Sequence, residues 1–147
     1  MKLYASPLQG FTEAPWRNIH HELFGGIDAY YTPFVRVEKG EFRNKDIRDI
    51  EKENNKVTCL IPQLIASTLE KLVGLFLERG YREADINMGC PFPLLTMRHK
   101  GSGILPYPSE VKVLLNELAH YPEMKFSVKM RLGWEYYDEW RQVLPLL

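Results

Sequence analysis

Strand-like and helix-like segments alternate along almost the whole chain, and this alternation limits the folds that the chain can adopt. Five segments rich in β-forming residues are separated by stretches whose apolar residues recur at helical spacing. The predicted strands cover residues 2–7, 27–34, 57–65, 83–89 and 125–133. Such alternation is typical of a parallel sheet with right-handed helical crossovers, so we predict an α/β fold.

Apolar spacing and helix-breaking residues predict the helices between these strands. The first is expected over 13–24, with Trp16, Ile19, His20 and Leu23 on its inner face. The charged stretch that follows the second strand predicts a loop with a short solvated helix. Later helices are expected to be capped by Ser67 and Ser109, and a last helix is expected over 136–147. The inner face of the helix after Ser67 is predicted from spacing to be Leu69, Leu72, Val73 and Phe76.

Length and charge set broad limits on function. The 147 residues suffice for one domain with a core, and 45% hydrophobic and 26% charged residues are ordinary for a globular protein. Nineteen basic residues balance nineteen acidic ones, so a nucleic-acid partner would have to use a local basic face. The sequence predicts no membrane span and no signal peptide. The two cysteines indicate no disulfide framework, which favours a cytoplasmic location.

Several polar residues fall where predicted strands end. Ligands of parallel α/β folds bind beyond the carboxyl ends of the strands. The residues expected there are 6–10, Thr32, Gln63, Asn87, Cys90, Lys129 and Arg131. Each also has a structural interpretation: Gln63 could satisfy an interrupted strand, Lys129 could be solvated, and Cys90 could be a loop residue. Cys59, in the middle of a predicted strand, is expected to be core packing. Asp85 and Asn87 alternate with apolar residues, so they are expected to share one face of their strand.

Four segments of the chain carry a family resemblance. They are ASPLQGFTEAPWR (5–17), IPQLIAS (61–67), DINMGCPFPLLTMRHKGSGILPYP (85–108) and KFSVKMRLGW (125–134). In this order they resemble motifs of the tRNA-dihydrouridine synthases, flavin enzymes that reduce uridine in tRNA. The Asn-x-Gly-Cys-Pro segment is the most specific of the four, and the likeness covers almost the whole chain.

The resemblance implies a role for each matching residue. Cys90 would be the general acid, protonating C5 of uracil after hydride from reduced FMN reaches C6. NADPH would be the electron donor. The residues implied to contact FMN are Pro7, Leu8, Gln9, Gln63 and Lys129. Lys129 would supply positive charge where negative charge collects on flavin reduction.

The implied substrate is tRNA, with the target base extruded from its stack. Asn87 would contact the flavin or the uracil. Three loop cations, Arg36, Arg98 and Lys100, would meet tRNA phosphates, although a solvated loop is an equally good interpretation of them.

The resemblance also implies a fold, an incomplete TIM-type (β/α) barrel. A complete barrel needs about 250 residues, whereas the chain provides about five β/α units. Residues 1–147 are therefore expected to be one domain, the N-terminal portion of an FMN-binding barrel, without the later strands and the helical tRNA-binding domain. Open sheet edges predict that the isolated chain binds FMN weakly and either self-associates or is only marginally folded.

Other functions are compatible with these residues. Dihydroorotate-dehydrogenase-like flavin enzymes also place Cys-Pro after a strand that carries an asparagine. A non-catalytic RNA-binding or assembly fragment is a second alternative. A hydrolase with a thiol nucleophile would need a neighbouring base, and of the four histidines only His99 is expected near a strand end.

Overall fold

The computed structural model describes every residue from Met1 to Leu147, and it contains one five-stranded sheet and one small hairpin. The strands are β1 (Tyr4–Ala5), β2 (Ala29–Val35), β3 (Val37–Glu38), β4 (Glu41–Phe42), β5 (Leu60–Leu64), β6 (Glu83–Met88) and β7 (Lys125–Met130). Strands β1, β2, β5, β6 and β7 pair in that order, all parallel, while β3 and β4 form the antiparallel hairpin.

Helices connect the parallel strands. They are α1 (Ala14–Leu23), α2 (Asn44–Ile50), α3 (Leu69–Glu78), α4 (Pro93–Thr96), α5 (Pro108–Leu118) and α6 (Trp140–Val143). Short 3₁₀ turns occupy Lys52–Asn54, Gly101–Ile104 and Leu144–Leu146. This arrangement confirms the predicted α/β fold of an incomplete TIM-type barrel. None of the helices combines the length and apolar character that crossing a membrane requires.

The hydrophobic core lies between the sheet and the helices α3 and α5. Leu72, Val73 and Phe76 of α3 are completely buried, which confirms the predicted inner face of that helix. Ile86 and Met88 of β6 meet them from the sheet. Because side chains alternate across a strand, the intervening residues of β6 point to the opposite, concave face of the sheet.

A bulge accommodates the proline inside β5. Tyr31 and Phe34 of β2 pair with Ile61 and Gln63, so two β2 residues lie opposite Pro62 alone. Proline lacks the N–H that a regular ladder needs at this point. The strand predicted over 57–65 therefore contains a bulge at this point.

The first helix buries a different face from the one that its apolar spacing predicts. Trp16, Ile19 and Leu23 are 40%, 58% and 70% exposed, so their predicted inward orientation is wrong. Arg17 is completely buried instead, with a guanidinium nitrogen 3.1 Å from a carboxylate oxygen of Asp49 in α2. A completely buried guanidinium requires an anionic partner, and this pairing sets which side of α1 faces inward.

The segment predicted to be a loop with a solvated helix is more ordered than that. It forms the β3–β4 hairpin and α2, and Ile50 of α2 is completely buried. Asp46 of the same helix pairs with Arg36 at 3.2 Å. A helix rich in charge is therefore partly buried here because its carboxylates find arginine partners.

The boundaries of three helices differ from the predicted ones. The residue preceding α3 is Thr68, in a left-handed conformation, and α5 begins at Pro108, so neither Ser67 nor Ser109 is a cap. The predicted helix over 136–147 is reduced to α6 and a 3₁₀ turn. The Glu139 carboxylate accepts hydrogen bonds from the backbone N–H groups of residues 134–136, which stabilises a loop there.

Candidate active site

Three buried polar side chains from adjacent strands are joined by hydrogen bonds on the concave face of the sheet. Gln63 Nε2 donates to Asp85 Oδ2 at 2.7 Å, and Asn87 Nδ2 donates to Gln63 Oε1 at 2.8 Å. Ser127 on β7 donates to the other carboxylate oxygen of Asp85 at 2.7 Å. The parallel register places Gln63, Asp85 and Ser127 side by side, so the strand pairing itself assembles this row.

The same row determines the conformation of the loop that carries Cys90. Asn87 Oδ1 accepts the backbone N–H groups of Gly89 at 3.1 Å and Cys90 at 2.8 Å. Arg131 Nε donates to the Gly89 carbonyl at 2.7 Å. These contacts satisfy backbone groups that become free where β6 ends, and they fix Cys90 at the carboxyl end of the strand.

The Cys90 carbonyl is in turn enclosed by the turn at 101–104. Ser102 donates to it through both its backbone N–H at 3.0 Å and its hydroxyl at 3.1 Å. Gly101 adopts φ +58°, and a Cβ there would collide with the Cys90 carbonyl oxygen. The close approach in this loop thus depends on Gly101, while a Cβ on Gly89 would make only an ordinary contact at 3.5 Å.

Lys129 occupies the end of β7, opposite Asn87 in the register. Its side chain is exposed, and it lines a cavity of about 200 Å³ together with Tyr4, Ser6, Pro7, Tyr31, Asp85, Ser127 and Val128. The cavity therefore combines aromatic walls with one carboxylate and one ammonium group. Cys90 and Lys129 lie at the same edge of the sheet, at the ends of neighbouring strands.

Burial controls the electrostatics of the row. Loss of hydration raises the pKa of the Asp85 carboxyl above its ordinary value, while the hydrogen bonds from Gln63 and Ser127 and the charge of Lys129 oppose that rise. Burial also raises the pKa of the Tyr31 phenol in the same cavity. Asp85 is thus the acidic side chain that shares this cavity with Lys129.

The opening segment lies along the same edge, with each residue in a different setting. Pro7 lines the cavity, and Leu8 is 58% exposed. Gln9 Oε1 accepts the backbone N–H of Phe34 at 3.0 Å, so its side chain ties the segment to β2. Gln63 is 1% exposed, and both ends of its amide already have protein partners.

The three loop cations occupy different surroundings. The charge of Arg36 is paired with Asp46, and its guanidinium lies 6.0 Å from the ring centre of Phe34. Arg98 is exposed in the loop after α4. Lys100 is half-buried beside a cavity that α5 lines. The structure thus does not bring the three cations to one point.

Cys59 lies away from this site, and its predicted core position is wrong. It directly precedes β5 and is half-buried. It lines a separate cavity of about 380 Å³ at the amino-terminal ends of β5 and β6. Burial raises the pKa of its thiol, with Glu83 adding to the effect. The early strand start that placed it in the core failed because pairing begins only at Leu60.

Two components of the site were missed by the sequence analysis. Ser127 was not considered, although it shares a strand face with Lys129 and the alternation of β7 could have indicated it. The role of Ser102 could not be found from spacing, because its partner is the backbone carbonyl of a residue twelve positions earlier. No group of three or more His, Cys, Asp or Glu side chains is arranged to hold a metal ion.

The fold and the site define a parallel α/β-barrel protein whose polar residues converge at the carboxyl edge of the sheet. A family model described as dihydrouridine synthase matches residues 3–146. The chain belongs to this family.

Individual relatives agree with the family match. The chain is 26% identical over 135 residues to tRNA-dihydrouridine synthase B of Klebsiella pneumoniae, covering 91% of the chain and 42% of the relative. It is 29% identical over 146 residues to the probable tRNA-dihydrouridine synthase 2 of Bacillus subtilis, covering 95% of the chain and 44% of the relative. The chain thus spans less than half the length of these relatives.

Proposed function

We propose that this chain is the part of a dihydrouridine synthase that carries the general acid, and that the enzyme reduces uridine in tRNA to 5,6-dihydrouridine. The observation that supports this most directly is the position of Cys90. Asn87 fixes its backbone at the end of β6, and Lys129 lies at the end of the neighbouring strand. The family match favours this function over a dihydroorotate-dehydrogenase-like enzyme and over a non-catalytic RNA-binding fragment.

The residues of the concave face fit a flavin such as FMN. A flat ring needs an apolar wall and a group that compensates charge, and Pro7, the exposed Leu8 and Lys129 provide these at one edge. When bound, FMN would supply the hydride, and NADPH would supply the electrons. A contact between Gln63 and the ring belongs to the proposal, and it requires that Gln63 exchange one of its present hydrogen bonds.

Each side chain then has a distinct task. The Cys90 thiol would transfer its proton to C5 of the uracil ring, which completes the saturation of the C5–C6 bond. Lys129 would compensate negative charge beside the cofactor. Asn87 would act through its amide, by positioning the Cys90 loop and contacting the bound rings. The Gln9 side chain would keep the opening segment against β2, leaving its backbone to face the ring.

Recognition of tRNA would use backbone contacts rather than base reading. Arg98 is exposed beside the Cys90 loop and is the most available of the predicted cations, whereas Arg36 must share its charge with Asp46. Phosphate contacts of this kind position a nucleic acid without specifying sequence. Lys100 would contribute from the same loop.

The open edges of the sheet affect how the chain binds FMN and associates. We place residues 1–147 in the N-terminal portion of an FMN-binding barrel of a cytoplasmic enzyme. The outer edges of β1 and β7 have no strand partner within this chain. Unpaired edges are templates for association, so weak FMN binding and self-association are part of the proposal.

Substitution of the two cysteines tests the function. The purified chain is mixed with FMN, NADPH and unmodified tRNA; flavin binding is followed by absorbance and dihydrouridine by nucleoside mass spectrometry. We expect Cys90→Ala to keep flavin binding and lose turnover, by about 10²-fold or more, whereas Cys59→Ala, at the other end of the sheet, keeps both. Turnover in Cys90→Ala equal to that of the unaltered chain contradicts the proposed acid, and an unaltered chain that binds no flavin even at high FMN concentration contradicts the function.

A further inference from the structure

The hydrogen bonds between β5 and β6 form a chain whose two ends have opposite chemistry. At one end are the backbone N–H groups of Gly89 and Cys90, which can only donate. At the other end is the Asp85 carboxylate, which, when ionised, can only accept. Between them lie the amides of Asn87 and Gln63, and each of these must point its oxygen one way and its nitrogen the other.

Only one orientation of the two amides satisfies both ends. The Gln63 nitrogen donates to Asp85, so the Gln63 oxygen faces Asn87. The Asn87 nitrogen then donates to that oxygen. The Asn87 oxygen is thereby left to accept from the Cys90 loop. With either amide reversed, a donor would face a donor or an acceptor an acceptor among buried atoms, which is costly.

We propose that Asp85 is a positioning residue for Cys90, acting through Gln63 and Asn87 by fixing the orientation of their amides. Ser127 assists because it donates to the second Asp85 oxygen and keeps the carboxylate in place. This assignment rests on the proposed role of Cys90 for its catalytic meaning. The orientation of the amides is a property of the chain alone and can be measured without flavin or tRNA.

The isosteric change Asn87→Asp separates this proposal from a merely local role of Asn87. If residue 87 only caps the loop, a carboxylate should accept the two N–H groups at least as well as the amide does. In the proposed chain, the second oxygen of residue 87 faces the Gln63 oxygen. The Gln63 amide can remove this oxygen–oxygen contact only by turning over, and its oxygen then faces the Asp85 carboxylate.

In the double variant Asp85→Asn with Asn87→Asp, the Gln63 amide can turn over without placing two donors or two acceptors against each other. Gln63 can donate to the new carboxylate and accept from the Asn side-chain nitrogen at position 85, whose oxygen still accepts from Ser127. The double variant has the same net charge as the unaltered chain and keeps one carboxylate near Lys129. It is therefore expected to restore the hydrogen bonds of the Gly89 and Cys90 amides that Asn87→Asp alone weakens.

Amide hydrogen exchange measured by NMR reports the relevant hydrogen bonds directly. We expect the Gly89 and Cys90 amides to exchange about tenfold faster or more in Asn87→Asp than in the unaltered chain. In the double variant they should return to within about threefold of the original rates. The Ile86 amide, in the middle of β6, serves as the reference for global opening. Iodoacetamide labelling of Cys90 relative to Cys59, read by peptide mass spectrometry, should follow the same order.

Three results would overturn the proposal. They are unchanged protection in Asn87→Asp, a double variant no better protected than that single variant, and a double variant that fails to fold. If Asn87→Asp fails to fold while the double variant folds, the proposal is supported. An unaltered chain that binds no flavin, together with the expected exchange pattern in the variants, would refute the proposed function and leave the positioning role intact.

Discussion

At the residue scale, two of the buried carboxylates of this chain are stabilised in different ways. Asp49 pairs directly with Arg17, which is completely buried and also donates to the Thr12 carbonyl at 2.7 Å. Asp85 has no contacting cation; it accepts from Gln63 and Ser127, with Lys129 acting at longer range. A pair with an arginine suits a structural position, whereas neutral donors leave Lys129 available to a ligand.

The pH dependence of stability should reveal the burial of Asp85. Because its pKa is raised in the folded chain, folding favours the protonated carboxyl. This contribution to stability is complete below the ordinary pKa of about 3.9 and is lost as pH rises through the raised value. Asp85→Asn does not titrate, so its unfolding free energy relative to the unaltered chain should increase between about pH 3 and pH 7.

Urea unfolding followed by tryptophan fluorescence at a series of pH values measures this difference. Ser127→Ala is an informative companion, because it removes a hydrogen bond that lowers the pKa of Asp85. In that variant the loss of stability with rising pH should be larger than in the unaltered chain. If the unfolding free energy of Asp85→Asn relative to that of the unaltered chain instead decreased as pH rises, the pKa of Asp85 would be lowered on folding.

At the scale of elements, the sequence predicted what depends on local pattern and missed what depends on distant partners. The βα alternation, the inner face of α3 and the shared face of Asp85 and Asn87 follow from periodicity, and all are present. The buried face of α1 does not follow, because Arg17 meets a carboxylate 32 residues later in the chain. The position of Cys90 at a strand end was predictable, whereas its enclosure by Gly101 and Ser102 was not.

Two Gly→Ala substitutions, one in a turn and one in a helix, should change the stability of the chain in opposite directions. Gly101→Ala places a side chain in the left-handed region, at a cost of about 1–2 kcal/mol, and adds a collision with the Cys90 carbonyl. Gly74 lies inside α3 with open space around it, so Gly74→Ala should stabilise the chain by about 0.5–1 kcal/mol. Urea unfolding measures both changes, and Cys90 labelling relative to Cys59 should change only in Gly101→Ala. Equal stability in the two variants would contradict the tight contact at Gly101.

At the scale of the whole molecule, the chain exposes surface that complete barrels cover. The outer edges of β1 and β7 are unpaired. The exposed large apolar side chains of α1 are Trp16, Ile19 and Leu23, and Phe24 follows them with 76% of its surface accessible. The formal net charge is zero, so no overall repulsion separates two copies. Open edges, apolar helix surface and neutrality all favour association.

We therefore expect the purified chain to self-associate, with a sedimentation coefficient that rises with concentration. Ile19→Lys should shift the onset to higher concentration by placing a charge in the middle of the apolar surface of α1. Glu22→Gln is the matched control, because it changes the net charge by the same amount at a 69% exposed side chain of the same helix. A single monomeric species up to about 100 µM, the range in which exposed apolar surface promotes aggregation, would show that these surfaces do not associate. An equal effect of the two variants would assign the association to net charge rather than to α1.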